Sequence, residues 1–194
     1  MKIYSILFLS LALLGCSKEK ESTETYDVSA EAAVAVASEA VAEVSIEPED
    51  QWQYETTKDE MRGIEKQYAS IHSSNQVHFD FPYEGGSNLN ITLRRDVGKP
   101  TDVYFSISKG QFTCDTFNNN CYASIKIDDG PVENISLVGT KDYSSEILFI
   151  ESDHDSKQFI QRIKKANQVI VELPFYQGGR QQFKFDIDGL KWDL

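Results

Sequence analysis

Ten of the eleven phenylalanines and both tryptophans fall after residue 50, and that placement decides where this chain can build a core. From Gln51 to Leu194 the chain is aromatic and alternating. Period-two alternation runs through QWQYET, NLNITLRR, DVYFSIS, CYASIKID and RQQFKFDID, the pattern of half-buried strands. Between these runs sit turn formers: Gly85-Gly86, Gly98-Lys99-Pro100, Asp128-Asp129-Gly130-Pro131 and Gly178-Gly179. One segment changes period. In DSKQFIQRIKKANQ the apolar Phe159, Ile160, Ile163 and Ala166 recur at helical spacing, which predicts one amphipathic helix near 155–166. Asp153 or Asp155 is the expected cap, and Lys164 and Lys165 suit the C-terminal end. The apolar run ILFI precedes this helix and QVIVELPF follows it, so it should lie against the sheet between two strands. The fold class expected is mainly β (α+β): an antiparallel β-sandwich or curved sheet with one packed helix, forming a single globular domain over 51–194.

Residues 17–50 contain no Gly, Phe or Trp and cannot supply a core. They hold ten acidic residues against Lys18 and Lys20, a net of minus eight. With Lys2 adding plus one, residues 51–194 keep only minus five of the chain's minus twelve. The segment reads as a flexible tether kept extended by self-repulsion. As a random chain it would hold the domain ~30 Å from its origin on average, and ~115 Å at full stretch.

The first fifteen residues carry Lys2 ahead of an uncharged apolar run, Ile3 to Leu14, too short to span a bilayer. Leu13-Leu14-Gly15-Cys16 resembles the bacterial lipobox, in which a cysteine becomes the lipidated mature N-terminus. The resemblance covers the leader alone. It implies a signal peptide over 1–15, palmitate-type acylation of Cys16, and a membrane held as partner through that lipid. Ser17, where an aspartate would favour inner-membrane retention, points by the same resemblance to the outer membrane, with the domain in the periplasm.

Assigning Cys16 to lipid leaves Cys114 and Cys121, and an exported chain favours their pairing as a disulfide. The bridge is expected to close a hairpin. Two cysteines with no further Cys or His pair fit no common zinc spacing.

Catalytic signatures are lacking. His72 and His78 flank Ser73 and Ser74, but no Gly-x-Ser-x-Gly elbow occurs. There is no P-loop and no GxGxxG, and an acidic chain repels nucleic acid. Arg94-Arg95 reads as a solvated strand end. Glu151, Asp153 and Asp155 are the metal candidates, and Asp186-Ile187-Asp188-Gly189 resembles the opening of a calcium loop without its closing Glu; capping and a tight turn are the simpler assignments. No cofactor is expected.

Loops suited to contact are the remaining feature. Tyr83 lies beside one Gly-Gly pair, Phe175 and Tyr176 beside the other, and Phe117, Asn118 and Asn119 lie inside the cysteine ring. FPYEGGSNL and LPFYQGGRQQF echo each other and suggest a shared turn design. Rigid aromatics and Asn on braced loops make contact surface at low entropic cost. The reading is a non-catalytic envelope lipoprotein that binds an envelope or extracellular protein, as an inhibitor, an immunity or exclusion factor, or an accessory factor. The rivals are a metal-dependent or hydrolytic envelope factor and a structural lipoprotein linked to peptidoglycan. Trp52 and Trp192 are expected to pack together where the terminal strands meet.

Overall fold

Period-two patterning becomes strand after strand in the computed structural model, which describes residues 51–114 and 121–193. Within those residues the order is β1 (Gln53–Asp59), β2 (Ile64–His72), β3 (Val77–His78), β4 (Gly86–Ser87), β5 (Leu89–Asp96), β6 (Asp102–Ile107), β7 (Tyr122–Ile127), β8 (Val132–Gly139), β9 (Ile147–Ile150), α1 (Asp153–Ile163), β10 (Gln168–Phe175) and β11 (Gly179–Asp186). Nine strands form one antiparallel sheet in the order β1-β2-β5-β6-β9-β8-β7-β10-β11; β3 and β4 pair separately. The mainly β architecture with a single helix is therefore present. Residues 1–50, with the expected leader, Cys16 and the expected tether, lie outside the described residues.

The sheet is curved at β8. Its first part, Val132 to Ser136, pairs with β7, and its last part, Leu137 to Gly139, pairs with β9. One strand thus belongs to both halves, and the inward faces of the halves share a core. That core takes alternate residues: Leu89, Ile91 and Leu93 from β5, Val103 and Phe105 from β6, Val169, Val171 and Leu173 from β10, Phe183 and Phe185 from β11. Two strands escaped the alternation reading, β2 and β8. Only Ala69 and Ile71 of β2 and Leu137 of β8 are buried, so neither shows a run of alternating apolar residues.

The helix lies two to three residues earlier than expected, over Asp153–Ile163 instead of 155–166, and with a different cap. Ser152 Oγ accepts from the Asp155 N–H at 3.1 Å, while Asp153 and Asp155 occupy the first turn, where their charge suits the helix dipole. A serine in extended backbone can reach the third N–H, whereas Asp153 is already helical. The helix ends at Ile163 with Lys164 as C-cap. Its buried face, Ser156, Phe159, Ile160 and Ile163, packs on the inner side of β6 and β9, with the Phe159 ring edge-on to Phe105 at 6.3 Å. None of the described helices is long and apolar enough to cross a membrane.

Part of the outer edge of β11 is covered. Asn75 Oδ1 accepts from the Lys184 N–H at 2.7 Å, Asn75 Nδ2 donates to the Gln182 carbonyl at 3.0 Å, and the Ser74 N–H donates to the Lys184 carbonyl. At Gln182 and Lys184 an amide side chain thus takes the place of a neighbouring strand, which blunts that stretch of the edge against pairing.

Candidate functional site

Phe79 organises the region where the two Gly-Gly segments meet. A Cβ at Gly110 would fall 3.0 Å from one edge of its ring, and a Cβ at Gly178 would fall 2.8 Å from the other. Only glycine lets both backbones approach this closely. Behind Phe79, the rings of Phe112 and Phe175 each lie at 4.9 Å in a tilted stack, Phe79 against Phe175 and Phe175 against Phe112, and Phe183 continues it at 5.8 Å. In front of it opens a cleft of 260 Å³ lined by Phe79, Asp80, Phe81, Pro82, Tyr83, Gln111, Tyr176, Gln177 and Gly178.

The cleft unites two loops that sequence could only name separately, those of Tyr83 and Tyr176. Phe81 is 79% exposed and Tyr176 58%. Phe175 has another role. It is 3% exposed, because its alternation phase within β10 turns it to the core, so it supports the cleft from behind and offers no contact surface. Phe79, Phe81, Pro82 and Gln111 were missed. The available signal was the dense FDFPY run, which lies just outside the Gly-Gly pair that drew attention.

The two Gly-Gly segments do not share a turn design. In the first, Gly85 has φ +91° and Gly86 pairs with His78. In the second, Gln177 and Gly179 take positive φ and Gly179 pairs with Phe175.

Cys114 and Cys121 stand at disulfide distance, with Cα atoms 4.7 Å apart. Their geometry departs from the expected hairpin. The Thr113 N–H donates to the Pro174 carbonyl and the Tyr176 N–H to the Gln111 carbonyl, while Ser124 to Ile127 pair with Val169 to Glu172. Both sides of the ring therefore run along the same edge of β10, in the same direction. Cys114 and Cys121 stand where this path along β10 is interrupted, between the stretch at 111–113 and the stretch at 124–127. Pro174, which has no N–H, sits where that path is interrupted, a position where a strand proline is tolerated. Phe117, Asn118 and Asn119 lie outside the described residues.

Other candidates are occupied structurally. Ser73 Oγ donates to the Asn75 carbonyl and accepts from the Leu89 N–H, and Ser74 Oγ donates to Lys184. Neither hydroxyl is bonded to His72 or His78. Among the described residues no group of three or more His, Cys, Asp or Glu side chains is placed to share a metal ion, Glu151, Asp153 and Asp155 included. The arginine pair is engaged, not merely solvated. Arg94 bridges Asp102 at 2.6 Å and covers the Phe149 ring at 5.0 Å; Arg95 donates to the Asp193 carbonyl at 2.6 Å and lies over Trp192. On the outer face of β10 and β11, hydrogen bonds from Gln182 and then Arg180 hold the Glu172 carboxyl below its usual range.

Compared with known proteins, the chain matches no family model, no curated protein and no solved structure.

Proposed function

We propose that this chain is an outer-membrane-anchored envelope lipoprotein whose domain is a non-catalytic protein-binding module, acting as an inhibitor, an immunity or exclusion factor, or an accessory of an envelope assembly. The anchor rests on Leu13-Leu14-Gly15-Cys16. The binding role rests on one observation: two separate loops bring Phe81, Tyr83 and Tyr176 to one cleft, and Phe81 stays 79% exposed. Leaving a phenylalanine in water forgoes roughly 1.5–3 kcal/mol of burial, which a partner recovers on docking. A rigid base supports the cleft, because Phe79 is wedged between two glycine backbones and backed by the buried Phe175.

Site-specific photocrosslinking in living cells tests the binding role. A crosslinker at position 81 is expected to capture a discrete protein that one at Val97, an exposed turn residue 64% accessible, does not. Equal capture at both positions, or none at either, removes the proposal. The anchor is tested by metabolic labelling with radioactive palmitate, which Cys16→Ser should abolish.

A further inference from the structure

Resting on the binding-module reading, we propose that the cleft takes an extended proline-rich segment of the partner, in polyproline II conformation, with a basic residue flanking the prolines. The argument starts from what the walls can offer. Strand addition needs a row of unpaired backbone groups. Here the walls at 79–83 and 176–178 are turns, and the segment at 111–113 already bonds Pro174, Tyr176 and Ser145. A docked helix anchors three or four large side chains along one groove. At 260 Å³ the cleft lies below the ~300 to 1,000 Å³ of sites that enclose a drug-sized ligand, so it holds one or two compact rings. Acidic and phosphorylated motifs need arginine or lysine, and none lines it.

Polyproline II meets each condition. Its proline rings stack on exposed aromatic faces such as Phe81 and Tyr176, and its carbonyls, free of internal bonds, accept from side-chain donors such as the Gln111 amide and tyrosine hydroxyls. The conformation is preformed, so a small cleft suffices. Charge fixes the flank. Asp80 lines the cleft and forms no ion pair among the described residues, and Glu84 follows it. Lys109, the neighbouring cation, donates its Nζ to the Glu84 carbonyl at 3.0 Å and does not line the cleft. A basic residue beside the prolines would meet Asp80.

The test is a fluorescence-anisotropy titration of the full-length chain in detergent with four labelled probes: a proline-rich peptide led by arginine, the same peptide with glycine for each proline, the same with glutamate for arginine, and chitotetraose. The arginine-led proline peptide should bind at least about tenfold more tightly than the glycine version. Phe81→Ala and Tyr176→Ala, both at exposed positions, should each weaken it about tenfold. Asp80→Asn should weaken the arginine peptide and strengthen the glutamate peptide, whose carboxylate is no longer repelled. Equal binding of proline and glycine peptides, no peptide binding, or binding of chitotetraose instead would overturn the proposal. Peptide failure with retained crosslinking at position 81 removes the proline-rich assignment alone; failure of both removes the binding-module reading as well.

Discussion

Trp52 and Trp192 are 3% and 6% exposed, whereas Phe81 and Tyr176 are 79% and 58% exposed, although all four are aromatic side chains at the ends of strands or in turns. The tryptophans belong to a seam where the last residues of the domain cross its first strand. Trp52 Nε1 donates to the Ile187 carbonyl at 3.0 Å, the Lys191 N–H donates to Tyr54 Oη at 2.8 Å, Trp192 Nε1 donates to Thr101 Oγ1, and Lys164 Nζ donates to the Trp192 carbonyl. The indoles hold the terminal segments without the mutual packing expected of them: Trp52 bonds Ile187, whereas Trp192 bonds Thr101 and lies under Arg95. At the cleft the outer aromatics have no such bonds to the core. The difference teaches that aromatic content alone does not distinguish a plug from a contact surface. What separates them is whether the ring's neighbours finish burying it.

The largest effect is expected at the seam. Trp52→Ala removes a buried indole and the clasp to Ile187, and should cost about 3–5 kcal/mol in urea unfolding. A loss as large from Phe81→Ala would erase the contrast between the two regions. Next comes the cysteine pair. Replacing Cys114 and Cys121 by serine releases an eight-residue ring, worth up to about 2.5 kcal/mol by loop entropy. Because both sides of the ring are bonded to β10 independently, circular dichroism of the variant should still report the β-sheet. A global loss of strand signal would show that the bridge holds the whole domain.

Gly178→Ala sharpens the comparison from inside the cleft. Its Cβ would meet Phe79 at 2.8 Å and Phe175 Cβ at 3.3 Å, so about 1–3 kcal/mol of strain should appear together with weaker capture at position 81. Phe81→Ala should change stability by no more than about 0.5 kcal/mol. The smallest effect lies outside both regions. Glu172 has its carboxyl lowered by Gln182 and Arg180, so its stabilisation is complete above the ordinary carboxylate range and is lost as pH falls through its folded value. Glu172→Gln should therefore lower stability slightly at neutral pH, where the carboxylate is bonded, and leave the strongly acid end nearly unchanged, so that the acid limb below about pH 4.5 flattens.

Strands β5, β6, β7 and β11 and the helix were legible because buried apolar residues recur at the right period through each and just past its ends, as Cys121, Ala123 and Ile125 do for β7 and Phe183, Phe185 and Ile187 for β11, whereas β2 offers only Ala69 and Ile71. The candidate site was half legible. Tyr83 and Tyr176 could be named from their turns, but Phe81 stood in a run with no period, and Phe175 looked like a turn residue until its place in β10 fixed its phase.

Residue order alone determined where a core can form, which segments alternate, and that Cys114 and Cys121 stand seven residues apart. These follow from local chemistry: apolar period, turn formers and spacing act over a few residues. The tertiary structure alone decided that β8 joins the two halves of the sheet, that the stretches on either side of the cysteines bond the same edge of β10 instead of each other, and that two loops nearly a hundred residues apart share one cleft. Those outcomes depend on which strand edges pair across the fold, and strand pairing is set by the burial of every face at once, a sum that no local segment contains.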